Sequence, residues 1–275
     1  TEKDYYLSDY AQYYNDVWGS GNAEESIFEI QYEGDRIENL ALCNMYYSYG
    51  DKASSPSGYG YVKTTAVYGN YNASGTAANI FKNTFDQRLF DFCYDANSGS
   101  EQYHVRKFVA TSKIKEDVTA EAANKNRTQF RQNWIIYRLT DVMLMKAEAL
   151  VQLEKKQEAF DIVKFVNDLA LSDKTKCLAY SVYQDKMEQL VLMERARELC
   201  FEGKRWFDLL RYNYRHITAA DYSKTMDEIT LGGFPANSSE FFEVALSKYT
   251  ATSAMKAKMP SEVYLYMPVS EEEMK

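Results

Sequence analysis

No apolar stretch of the chain approaches the roughly 18 to 20 residues that cross a bilayer as a helix. The first six residues carry neither a basic n-region nor an apolar h-region. A mature form that had lost a leader would start the same way, so localisation cannot be read from this terminus. Basic charge is also short, with 32 Lys and Arg against 40 Asp and Glu and a net charge of -8. No basic run is dense enough to reverse that field locally, which argues against nucleic acid as a partner. There are only 2 histidines. His104 and His216 stand apart without a patterned partner, as satisfied surface or core histidines do. The four cysteines, Cys43, Cys93, Cys177 and Cys200, have no short paired spacing, which excludes a zinc ribbon and a CxxC redox motif and fits unpaired, mostly buried thiols. A nucleophile elbow, an H-E-x-x-H, a phosphate-cradling glycine loop and a dinucleotide fingerprint are all missing. The residue inventory therefore assigns no catalytic residue, no metal ligand and no cofactor.

What the chain does have is bulk and tyrosine. At 275 residues and 45% hydrophobic content it can bury a substantial core. Its 24 tyrosines stand beside 14 Phe and 3 Trp. Tyrosine joins an apolar ring to a polar tip, so it suits half-exposed surfaces that meet amphipathic ligands as well as the rim of a core.

The character of the sequence changes near residue 130, from a Tyr/Gly/Ser/Asn-rich part to a charged, helix-periodic one. Residues 7–18 have the spacing of a short helix ending at Gly19. Ile27, Phe28, Ile30 and Tyr32 give residues 26–32 the look of a strand. Residues 44–80 hold five glycines and Pro56 among Ser and Asn, a composition that discourages regular structure. A loop of that length inside a compact domain is usually functional or disordered, and the tyrosines gathered there favour function.

From Trp134 the pattern is helical to about Leu153, with Leu139, Val142, Met143, Lys146, Ala147 and Leu150 on one face and Thr140, Asp141 and Glu148 elsewhere. A short polar turn over residues 154–157 leads into a second helix marked by Ala159, Ile162, Val163, Val166 and Leu169, so the two form an antiparallel hairpin. Ala147, Leu150, Ala159, Val163 and Val166 have the separations of a tetratricopeptide unit, in which small residues let paired helices approach closely. A third helix is expected over about residues 183–200. Gly203 interrupts it before residues 204–212 resume the pattern, and Gly232, Gly233 and Pro235 mark an irregular tail.

The most informative stretch is Glu194-Arg195-Ala196-Arg197-Glu198-Leu199-Cys200-Phe201-Glu202-Gly203-Lys204-Arg205-Trp206-Phe207-Asp208-Leu209-Leu210-Arg211-Tyr212. It is a ladder of opposite charges at helical spacing (Arg195 to Glu198, Lys204 to Asp208, Asp208 to Arg211), with Trp206, Phe207 and Leu210 expected to pack inward. Glu194, Glu198 and Glu202 share a face one turn apart, as acid/base or metal chemistry would require. Each also has an arginine within reach, which makes a structural role the expected one. Arg197, Glu202, Arg205 and Asp208 are expected to be buried and mutually paired, with Trp206 in the core.

This stretch resembles the signature E-R-x-x-E-L-x-F-E-G-x-R-W-x-D-L-x-R of the SusD/RagB family. Residues 137–149 are similar to that family's R-x-A-E-x-x-L-x-x-A-E-A helix, Ser26-Ile27-Phe28-Glu29-Ile30 to the segment opening its C-terminal region, and Met267-Pro268-Val269 to its terminal P-I-P. Two departures stand out. Asp141 replaces the usual Glu, and Val166-Asn167-Asp168 lacks the arginines that typically follow.

The resemblance implies a mainly α, SusD-like fold of tetratricopeptide-like helix hairpins with a loop-rich C-terminal subdomain and few short strands. On that reading residues 1–130 are the ligand side, 131–213 the helical core with the signature, and 214–275 an irregular tail. It further implies a protein roughly twice this length, with more helix pairs and a lipid-bearing cysteine ahead of residue 1. Such a protein is a non-enzymatic, outward-facing outer-membrane lipoprotein that captures an oligosaccharide for a SusC-like TonB-dependent transporter. The signature positions carried over as structural are Glu194, Arg197, Glu198, Glu202, Gly203, Arg205, Trp206, Asp208 and Arg211.

The family shares no ligand motif. Composition alone therefore nominates Tyr46, Tyr47, Tyr49, Tyr59 and Tyr61 for ligand contact, with Arg36, Asp35 and Asn44 as polar companions. A RagB-like peptide receptor and a tetratricopeptide scaffold for a protein helix are the alternatives, and the latter needs more helix pairs than the one visible.

Overall fold

The structure, a computed structural model, describes residues 17–18, 21–33, 36–46, 62, 80–81, 85–95, 103–105, 107–108 and 132–216. The chain divides into two compact units, residues 1–203 and 204–275. The expected helix over residues 7–18 and the tail beyond residue 216 lie outside the described residues, apart from 17–18.

In the first unit, strand β1 (Ser26–Ile30) pairs antiparallel with β4 (Trp134–Arg138), with Phe28 opposite Tyr137 and Ile30 opposite Trp134. Between them in sequence come helix α1 (Leu40–Tyr46), the short α2 (Arg88–Asp91), and strands β2 (Cys93–Asp95) and β3 (Tyr103–Val105), which form a second antiparallel pair. Trp134–Arg138 is thus a strand, where the sequence pattern suggested that the helix already begins. Five consecutive aromatic, β-branched or long residues suit a pleated edge, and the helix starts only at Leu139.

Helices α3 (Leu139–Gln152) and α4 (Lys156–Ala170) form the expected hairpin, and both pack on α6 (Met187–Glu198). The helix expected over about residues 183–200 is α6, and a one-turn helix, α5 (Tyr180–Tyr183), precedes it. Ala147 and Ala159 are fully buried within a core that includes Leu144, Leu150, Val163, Val166, Leu190 and Val191. Small residues at that crossing allow the close helix approach anticipated for it.

The buried face of α3 differs from the expected one. Thr140, Asp141, Leu144, Ala147, Glu148, Leu150 and Val151 are buried, while Val142 is exposed along with Lys146. Thr140 and Asp141 go inside because each finds a partner there, Glu25 and Arg195 respectively. On β1, Ile27, Phe28 and Ile30 are exposed, so the strand does not bury the apolar set that its alternation suggested.

The turn between α3 and α4 is a Schellman motif. Lys155 N donates to Leu150 O at 2.9 Å and Glu154 N to Val151 O at 3.0 Å, with Glu154 itself at φ +59°. In the second unit, α7 (Arg205–His216) follows Gly203, whose φ of +76° gives the break expected there.

Candidate functional site

The signature glutamates Glu194, Glu198 and Glu202 lie inside the first unit, and cations from three other chain segments meet them. Arg88 is fully buried. Its guanidinium donates to Asp86 Oδ2 at 2.7 Å, Glu194 Oε1 at 2.7 Å and Glu198 Oε2 at 3.0 Å. Burial works against that charge, but Asp86, Glu194 and Glu198 outweigh it and hold the Arg88 pKa well above its ordinary value.

Arg138, where β4 passes into α3, reaches Glu25 Oε1 at 2.8 Å, Glu198 Oε1 at 3.0 Å and Glu202 Oε1 at 2.9 Å. Lys107 Nζ donates to Glu202 Oε1 and to the carbonyl of Glu198, both at 2.5 Å, and to the carbonyl of Cys200 at 3.2 Å. Those carbonyls close α6, so Lys107 caps the negative end of the helix. Its charge also lies 4.1 Å from the Phe92 ring centroid and 4.7 Å from that of Trp18.

At the other end of the network Glu25 caps α3. Its carboxylate accepts from Thr140 N at 3.3 Å and from the Thr140 hydroxyl, and its carbonyl accepts from Leu139 N at 2.9 Å. Burial pushes the Glu25 carboxyl up, and the nearby Arg138 and Thr140 offset only part of that shift.

Both carboxylate oxygens of Glu194, Glu198 and Glu202 are hydrogen-bonded to buried side chains, Asn167 Nδ2 to Glu194 Oε2 at 3.1 Å among them. A carboxylate held this way has no lone pair directed at solvent for acid/base work. Among the described residues no group of three His, Cys, Asp or Glu is placed to hold a metal ion, and no helix is long and apolar enough to cross a membrane.

The expected pairings within the signature are rearranged. Arg197 is buried but pairs with Glu194 at 3.1 Å and donates to the Ile80 carbonyl at 2.8 Å. Glu202 pairs with Lys107 and Arg138, and Arg195 of α6 forms an ion pair with Asp141 of α3 at 3.0 Å. Partners distant in sequence win because the end of α6 is enclosed, and an enclosed charge is stabilised by whatever opposite charge the fold brings to it. In the second unit Asp208 is buried and pairs with Arg211 at 2.6 Å, as expected from their spacing. Arg205 and Trp206 are only half-buried and Phe207 is 49% exposed, so this turn of α7 does not seat its rings as anticipated. Of the cysteines, Cys200 is buried and Cys177 half-buried, both free. The side chains of Cys43, Cys93, His104, Leu210 and His216 lie outside the described set.

Among the ligand candidates, Tyr46 is a core residue. It is 5% exposed, stacks on Phe108 with centroids 4.9 Å apart, and donates its hydroxyl to the Phe201 carbonyl at 2.8 Å. It has no surface to offer a ligand, because its place in the last turn of α1 turns the ring inward. Arg36 is exposed and Asn44 half-buried. Tyr47, Tyr49, Tyr59, Tyr61 and Asp35 lie outside the described residues. Sequence reasoning missed Arg88, Lys107 and Arg138 as partners of the signature. No local spacing links them to it, since their contacts span 60 to 110 residues.

The SusD family model matches residues 83–275, more than half of the chain, and the chain belongs to that family. The SusD-like protein P38 of Formosa agariphila is 37% identical over 86 residues, which cover 30% of this chain and 17% of that protein. A second SusD-like protein of the same organism, P2, is 30% identical over 97 residues, covering 34% and 19%. The fold is that of solved SusD superfamily proteins. One from Parabacteroides distasonis is matched with a TM-score of 0.53 and 21% identity over 76% of this chain and 44% of that one. Another, from Bacteroides thetaiotaomicron, is matched at 0.53 and 18% over 83% and 45%. The chain thus spans less than half the length of these solved relatives.

Proposed function

We propose that this chain is the C-terminal region of a non-enzymatic receptor on the cell surface, which binds an oligosaccharide and delivers it to a SusC-like TonB-dependent transporter of the outer membrane. The family match over residues 83–275 carries the reading. The signature supports it by exclusion, since its carboxylates are spent on buried cations and leave the polar chemistry of recognition to the connecting segments. A lipid anchor ahead of residue 1 and an outward-facing position belong to the same proposal.

The ligand surface is proposed to lie on the segment between α1 and Val62, with Tyr47, Tyr49, Tyr59 and Tyr61 stacking on sugar and Arg36 beside them. A pyranose has an apolar face of C–H groups with slight positive charge, which suits the negative face of an aromatic ring, and the phenol can bond sugar hydroxyls. Those hydroxyls exchange water for protein at little net gain, so dissociation constants of about micromolar to millimolar are expected.

The test is to change Tyr47, Tyr49, Tyr59 and Tyr61 singly to Ala in the full-length protein and titrate the glycan it binds. At least one variant should weaken binding without loss of fold. Parent-like binding in all four would place the site elsewhere. Incubation should leave the glycan intact, and turnover that a single substitution in this chain abolishes would contradict the non-enzymatic reading.

A further inference from the structure

Positions 47–61 connect Tyr46, at the end of α1, to Val62. The two ends of that connection meet, because Val62 N donates to the Met45 carbonyl at 2.8 Å. Tyr46, one residue on from that carbonyl, fixes the meeting point to the core through its stack on Phe108 and its hydroxyl bond to the Phe201 carbonyl.

The acceptor is unusual. Phe201 has φ +68°, a left-handed conformation that residues with a Cβ rarely adopt. Strain of this kind persists only where its surroundings over-determine it. Here they do: Glu198 and Glu202, on either side of Phe201, are both held by Arg138, and Lys107 holds the Glu198 and Cys200 carbonyls. The left-handed turn sets the direction of the Phe201 carbonyl, and the Tyr46 hydroxyl meets it at 2.8 Å.

We infer that Tyr46 is a positioning residue: its hydroxyl ties the paired ends of the 47–61 connection to the rigid turn that closes the signature helix. Its importance for recognition rests on the reading that this connection carries the ligand-stacking tyrosines. A binding surface whose base is fixed in advance loses less freedom on capture. This also gives the phenylalanine of the family signature a backbone role, since its carbonyl does the holding.

The test needs no ligand. Native-state amide exchange, read residue by residue without glycan, compares the parent with Tyr46→Phe, which keeps the ring and removes only the hydroxyl. Loss of one hydrogen bond predicts about three- to tenfold faster exchange at both Val62 and Glu202. Amides in the middle of α4, such as Val163, should be unchanged. Acceleration at Glu202 alone would make the bond a local feature of the turn and overturn the inference. So would unchanged exchange at both sites, or equal acceleration in α4, which would mean that the hydroxyl serves the fold as a whole. Because glycan is absent, failure here leaves the receptor reading standing, and failure of the glycan titrations leaves this coupling standing.

Discussion

Arg138 holds three enclosed carboxylates, Glu25, Glu198 and Glu202, as Arg88 does Asp86, Glu194 and Glu198. Removing one partner of a buried pair leaves the other charge uncompensated, so Arg138→Met should cost about 3–5 kcal/mol. Urea denaturation of the two proteins would measure it, and a loss under about 1 kcal/mol would place the network in the class of weak surface pairs. Two buried groups work against stability at alkaline pH. Burial pushes the Cys200 thiol and the Tyr46 phenol each up to about 12, from ordinary values of 9.0 and 10.0. Both groups ionise more readily in the unfolded chain. Their contribution is therefore fully present below about pH 9 and is lost as pH rises toward 12. Urea midpoints should fall between pH 9 and 11. Tyr46→Phe should decline less steeply than the parent above pH 10. An equal slope in parent and variant would mean that the phenol is not enclosed. The row of glutamates was legible in the sequence as structural, but their true partners were not, because spacing along a helix says nothing about a cation 100 residues away.

Among the elements, α3 and α4 follow from apolar periodicity, and the end of α3 and the start of α4 agree with the sequence reading to within about two residues, the usual uncertainty of helix boundaries, whereas α3 begins only at Leu139. β4 was concealed because its aromatic and β-branched residues run without a break into the helix, and period cannot be judged over five positions. The buried face of α3 was misassigned for a related reason. Its sequence is apolar nearly all round, so the choice of face is made by Asp141 meeting Arg195 and Thr140 meeting Glu25, which are tertiary events. The α3–α4 turn yields a prediction of its own. Glu154 occupies a left-handed position that costs a residue with a Cβ roughly 1–2 kcal/mol. Its contact with Lys156 is exposed and contributes little. Glu154→Gly should therefore raise stability by about 1 kcal/mol, partly offset by the glycine's freedom in the unfolded chain. A thermal melt checks the sign, and a fall in melting temperature would contradict the assignment of this turn.

For the whole molecule, family and helical core were readable from a few ordered motifs, and the chain belongs to the SusD family. The ligand surface was less readable. Tyrosine count alone could not separate Tyr46, which anchors the connection from within, from its neighbours in sequence. A ring facing the core and a ring facing a sugar obey the same composition. The functional claim is that the polar chemistry of this family signature builds a scaffold and that recognition of an oligosaccharide lies on the connections it supports. The most direct test is binding of the full-length protein to a glycan array and a peptide library side by side. The account predicts saturable, weak binding to one class of oligosaccharide and no retention of peptides. Retention of peptides with no glycan bound would contradict it and make the protein a peptide receptor on the same fold.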